Sequence, residues 1–144
     1  MLLGLKEQGW EIPEELIRAS TSFGGGVGLS KNICGCLSSA AMAMGLRFGT
    51  TEPTGTAPRP AYARTKAVLD RFSSEFEATQ CADLTAPWAD DFAHPDRAHR
   101  CGELVRFTLE QIAEIAGHPK ESPDWEDSWW DDYLTRRDKI EPRG

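Results

Sequence analysis

The chain has 144 residues, of which 40% are hydrophobic and 27% charged, enough for one domain whose core needs no disulfide support. Its net charge of -7 argues against nucleic acid or an anionic membrane as a partner. Residues 1–7 lack the basic start, apolar run and cleavage site of a secretory signal, and the longest apolar region, 33–46, falls short of the ~20 residues that span a bilayer. A cytoplasmic protein is expected, folding alone or as a homo-oligomer.

Taken in chain order, Leu2, Leu3 and Leu5 precede Lys6, Glu7 and Gln8, and Gly9 closes a first short helix. Pro13 followed by Glu14 and Glu15 has the form of a helix start, with proline in the first turn and acids against the macrodipole. That second helix is predicted from Pro13 to about Ser22. The segment Gly24 to Asn32 holds four glycines, so its backbone can take positive φ and approach another chain or a ligand closely. Cys34 to Gly49 is rich in Ala, Met and Leu, with Leu37, Ala40, Ala41, Met44 and Phe48 on one stripe, and reads as a buried central helix.

A loop from Thr50 to Pro60 follows, marked by prolines and a glycine. Between Ala61 and Thr79, Tyr62, Leu69, Phe72 and Phe76 keep helical spacing, while Arg64, Lys66, Asp70, Arg71 and Glu75 take the other sides. Cys81 lies just past that helix. Asp83 to Pro95 reads as a loop pinned by Trp88 and Phe92. Asp96 is then expected to cap a long helix in which Cys101, Leu104, Val105, Thr108, Ile112 and Ile115 share a face, ending at Gly117 and turning Cys101 toward the core. A last helix is expected after Ser122-Pro123-Asp124, acidic first and basic at Arg136, Arg137 and Lys139. Its Trp125, Trp129 and Tyr133 form a stripe that packs on the domain or meets a partner.

These elements predict an all-α, single-domain bundle of about five to six helices, with a glycine-rich loop before a buried central helix. Residues 1–117 would form the cysteine-containing domain and 118–144 an acidic and aromatic helical extension.

The chemistry rests on four cysteines, Cys34, Cys36, Cys81 and Cys101. In a cytosolic chain such a set is more often catalytic, redox or metal-binding than a permanent scaffold. Cys34 sits where a glycine-rich loop meets a helix start, and the helix N-terminus favours a thiolate there; the plainer alternative is a tight turn followed by small buried cysteines. A Cys-x-Cys pair can form a strained and therefore oxidising disulfide. No zinc-finger spacing occurs, although distant ligands could assemble a site from the four cysteines, or from Cys81 and Cys101 with His94 and His99. Neither dinucleotide nor P-loop glycine spacing aligns on Gly24 to Lys31, and no serine stands in a nucleophile elbow.

The run Phe23-Gly24-Gly25-Gly26-Val27-Gly28, then Cys34-Gly35-Cys36-Leu37-Ser38-Ser39 with Met42, Gly45 and Leu46, resembles the C-GCAxxG-C-C family of redox-active proteins. Members carry a CGAxxG motif after a GGG-type loop. Cys81-Ala82-Asp83-Leu84 and Cys101-Gly102-Glu103-Leu104-Val105 look like the two later cysteine blocks, and order and spacing match over roughly residues 1–116. The resemblance implies a redox role without a defined substrate. By position it makes Cys34 the motif cysteine and Cys81 and Cys101 the third and fourth family cysteines. Cys36 stands where the family has alanine and Ser39 where it has glycine. The first family cysteine would precede the Leu2–Gly9 helix, upstream of residue 1, which the resemblance leaves to three readings: a misplaced start, a fragment of a longer chain, or Cys36 in the role of the missing partner.

The leading expectation is thiol-disulfide oxidoreductase chemistry, with Cys34 attacking and Cys36, Cys81 or Cys101 resolving. A redox partner protein or a small-molecule thiol would serve as electron donor. The alternatives are a metal or iron-sulfur carrier built on the same cysteines, and a helical interaction module whose cysteines are inert.

Overall fold

Glycine and proline punctuate the chain much as its local sequence demands, and helices fill the intervals. The computed structural model describes residues 1–52 and 59–117. Among them are six α-helices: α1 (Leu2–Glu7), α2 (Glu14–Ser20), α3 (Gly35–Phe48), α4 (Arg59–Phe76), α5 (Cys81–Leu84) and α6 (Pro95–Ala116). Short 3₁₀ turns at Thr21–Phe23 and Ala86–Trp88 join them. The described residues contain no strand, only one isolated antiparallel bridge between Ile33 and Gln80, and the fold is all-α. The Trp125, Trp129, Tyr133 stripe and most of the 50–60 loop lie outside the described residues.

Helices α3, α4 and α6 pack against one another and form the framework. One core cluster joins Leu2, Leu5, Trp10 and Ile12 to Ala40, Met44 and Phe48 of α3, Val68 of α4, and Ile112 and Ile115 of α6. A second lies nearer the start of α3 and holds Cys34, Cys36, Leu37, Phe72, Leu84 and Leu104. It is walled by three rings, with Phe76 centred 4.8 Å from Phe72 and 5.1 Å from Phe107. Such tilted and edge-on pairs add to area burial, and they tie α4 to α6 behind the cysteines.

Several local expectations need correction. The buried arc of α3 is centred on Ala40 and Ala43 and includes Cys36 and Ser39, so Ala41 falls past its edge and is exposed. On α4, Tyr62 is exposed, whereas Arg64 is buried with its guanidinium 4.3 Å from the centre of the Phe48 ring. A cation–π contact lets an arginine enter where charge patterning turns it outward. The stretch after Asp83 is not wholly loop, since Cys81–Leu84 is a helical turn followed by the 3₁₀ turn. Trp88 is half-buried, while Phe92 is 52% exposed.

The cap of α6 is His94, whose Nδ1 accepts from the Asp96 N–H at 3.1 Å; Pro95 occupies the first helical position and Asp96 the first turn. Gly117 ends that helix at a φ of 70°. Leu104, Thr108, Ile112 and Ile115 are buried along its inner face, while Cys101 is only half-buried.

Candidate functional site

From Gly25 to Leu29, five consecutive residues take positive φ, at 63°, 72°, 66°, 58° and 63°. Glycine does this freely, but Val27 and Leu29 do not: Cβ crowds the carbonyl, at about 1–2 kcal/mol per residue, and a β-branched side chain suffers most. Wide backbone bonds hold the turn together, from the Gly28 N–H to the Ser22 carbonyl at 2.7 Å and from the Lys31 N–H to the Gly25 carbonyl at 2.9 Å. Val27 is 41% exposed and contributes little burial in return. Val27→Gly is therefore expected to raise stability by about 1 kcal/mol, the relief of strain outweighing the added freedom of the unfolded chain. Thermal denaturation of the variant would show it, and a lowered Tm would contradict the strain.

The turn leads into a short antiparallel pairing that brings distant cysteines together. The Cys34 N–H donates to the Thr79 carbonyl at 2.9 Å, and the Cys81 N–H donates to the Asn32 carbonyl at 2.6 Å. Cys34 is the N-cap of α3 and Cys81 the first residue of α5, so two helix starts stand side by side. Gly26 covers Cys81 so closely that a Cβ there would sit 2.8 Å from the Cys81 Cβ and 2.6 Å from the Asn32 nitrogen. Gly35 faces the Phe23 carbonyl, which an added Cβ would approach to 2.9 Å.

All four cysteines are free thiols and line one cavity of about 290 Å³. The glycines 24–26 form part of its wall, Met1 and Leu2 another, and Arg97, Leu104 and Val105 of α6 a third. The sequence-derived set Cys34, Cys36, Cys81 and Cys101 is thus gathered in one place. His94 and His99 are not. His94 caps α6, and His99 is exposed with its Nε2 3.7 Å from a Glu103 carboxylate oxygen. Among the described residues no group of three or more His, Cys, Asp or Glu side chains is arranged to hold a metal ion.

The thiols differ in acidity for physical reasons. Cys34 is lowered to about 7, first by a hydrogen bond from the Cys36 side chain. Burial works against this, and the backbone N–H groups of Cys36 and Leu37 add to it. These amides occupy the second and third helical positions, the ones an N-cap side chain serves; the thiol makes no close capping bond, but a thiolate gains from both. Cys36 moves the opposite way, held protonated by donating to Cys34, by burial and by the neighbouring thiolate. The Thr108 hydroxyl lies against Cys36 and offsets part of that rise. Cys101 is raised by burial, with Arg97 pulling it down and Cys34 and Cys81 pushing it up.

Arg97 and Thr108 are the site residues that sequence reasoning missed. Thr108 reads as core by its position on the α6 stripe, and Arg97 as one charge among many in a helix start. Their spacing from Cys101 and Leu104 on the same face was the available signal.

The family model described as "Putative redox-active protein (C_GCAxxG_C_C)" matches residues 1–115. No curated protein and no solved structure matches the chain.

Proposed function

The chain belongs to the C_GCAxxG_C_C family, and from that premise we propose that it performs thiol-disulfide exchange, with Cys34 as nucleophile and Cys36 as resolving thiol. The observation that carries this reading is a thiol at a helix N-cap, lowered to about 7 by its neighbour's hydrogen bond and facing a cavity. A pKa near ambient pH is the useful compromise, because a thiolate is then abundant without losing nucleophilicity.

The Cys34 thiolate attacks one sulfur of a disulfide, forming a mixed disulfide while the old S–S bond breaks and a thiolate departs to take up a proton. Cys34 is then uncharged, which removes both its repulsion of the Cys36 thiolate and the hydrogen bond that held the Cys36 proton. Cys36 gives its proton to solvent, attacks the Cys34 sulfur, and expels the second thiolate. Two electrons pass from the pair to the substrate. A small-molecule thiol or a dithiol redox partner protein returns the pair to its reduced state.

Cys81 and Cys101, on the same cavity, are a second pair able to accept the disulfide from Cys34. A reducing compartment such as the cytoplasm suits four free thiols. The unit carrying this chemistry is residues 1–117, with 118–144 as an extension.

Alkylation by iodoacetamide followed across pH, with each cysteine resolved by mass, tests the proposal. Cys34 is expected to react first with a midpoint near pH 7, and mild oxidation of the protein is expected to link Cys34 to Cys36. An ordinary thiol midpoint for Cys34 together with no disulfide would overturn it.

A further inference from the structure

Among the described residues Arg97 is the one side-chain cation that lines the cavity. It is buried, at 9% relative exposure, and it lines the cysteine cavity. Its guanidinium lies 3.6 Å from the centre of the Phe92 ring, and Nη1 donates to the Phe92 carbonyl at 3.3 Å. Among the described residues no carboxylate pairs with it, whereas the exposed Arg71 and the half-buried Arg100 both have acidic partners. A guanidinium presents five donors, and the Arg97 nitrogens not bonded to Phe92 keep access to solvent, open to an anion in the cavity.

We propose that Arg97 is the recognition residue for a small carboxylate-bearing thiol or disulfide, its carboxylate on the guanidinium and its sulfur at Cys34. The inference rests on the thiol-exchange reading and deepens it by naming the substrate class. Arginine suits this task because its planar fork meets a carboxylate with two parallel hydrogen bonds. Phe92 stacks on one face of the guanidinium and fixes its plane, and Phe92 itself approaches the glycine turn, where a Cβ on Gly25 would lie 3.4 Å from its ring. The strained turn and the arginine are therefore parts of one wall. A cavity of about 290 Å³ holds a small molecule rather than a protein segment. Charge gives the idea its edge: a chain of net charge -7 attracts cations at long range, so a preference for anions has to come from a local cation.

The experiment compares three symmetrical disulfides at pH 7: anionic 3,3′-dithiodipropionate, neutral bis(2-hydroxyethyl) disulfide and cationic cystamine. The readout is the rate of mixed-disulfide formation at Cys34, with neutral iodoacetamide as a measure of its intrinsic reactivity. The wild-type protein is expected to react with the anionic compound roughly tenfold faster than with the neutral one, the scale of a hydrogen bond to a charged group, and with the cationic compound slowest. Arg97→Gln should erase that ranking while leaving the iodoacetamide rate intact, and Arg97→Lys should keep part of it.

Equal rates for the three compounds, or a preference surviving in Arg97→Gln, would overturn the assignment. So would an Arg97→Gln protein in which the iodoacetamide rate falls as far as the anionic rate, since Arg97 would then be structural. If Arg97→Gln does not fold, the wild-type ranking and Arg97→Lys decide the matter. A Cys34 that reacts with iodoacetamide at a midpoint near 7 but shows no charge preference defeats this inference alone. A Cys34 inert to every reagent defeats the redox reading beneath it.

Discussion

Gly26→Ala is expected to cost about 3 kcal/mol and to lower Tm by roughly 10 °C. Two causes add. The residue sits at a φ of 72°, where a Cβ is strained by about 1 kcal/mol or more. That Cβ would also meet the nitrogen and oxygen of Asn32 at 2.6 and 2.7 Å and the Cys81 Cβ at 2.8 Å. Backbone atoms cannot swing aside as a flexible side chain can, so the turn must separate from the Asn32–Cys81 pairing. The control is Gly28→Ala, with a similar φ of 58° but open space around its Cβ, where only the strain should be felt. Calorimetry on the two variants separates sterics from backbone strain. Faster alkylation of Cys81 in Gly26→Ala would locate the damage. Equal losses in the two variants would mean that Gly26 is required for its conformation alone.

Cys36→Ala should move the Cys34 midpoint upward from about 7, because the Cys36 hydrogen bond is the largest influence holding it down. Burial and two backbone amides then oppose each other. At pH 7 the alkylation rate of Cys34 is expected to fall roughly five- to tenfold, the consequence of a one-unit rise or slightly more. Cys36→Ser restores a hydroxyl donor and should recover much of the rate without restoring disulfide formation. A Cys34 midpoint unchanged in Cys36→Ala would assign the acidity to the helix start instead.

The same pair sets a stability profile. Cys34 has a lower pKa folded than unfolded, so its contribution is present above the ordinary thiol pKa and is lost as pH falls through about 7. Cys36 is raised in the folded state and works in reverse, its contribution declining once the unfolded thiol begins to ionise. Wild-type stability from this pair should therefore rise between pH 7 and the ordinary thiol range and fall above it. In Cys36→Ala the rising limb should shrink, which denaturant titrations at successive pH values would measure.

Much of the fold was legible because its signals act over one helical turn. Pro13 and the acids after it mark the start of α2, Gly117 the end of α6, and the Ala-rich run after Cys34 the buried α3. Arg64 and Ala41 were misplaced because a residue at the margin of a stripe is decided by its neighbour on another helix. Arg64 is drawn in by the Phe48 ring, a contact no spacing rule on α4 contains. The isolated Ile33–Gln80 bridge was unreadable for a similar reason, since two residues without an alternating pattern carry no strand signal.

For the site, the sequence by itself determined that Cys34 would stand at a helix start behind a glycine turn, because capping and positive φ are settled by residues a few positions apart. Only the tertiary structure decided that the thiols share a cavity, that Cys36 donates to Cys34, and that Arg97 closes the wall. Acidity and recognition depend on which atoms stand within a few ångströms. In this chain those atoms come from α3, α5 and α6, far apart in sequence and brought together by packing.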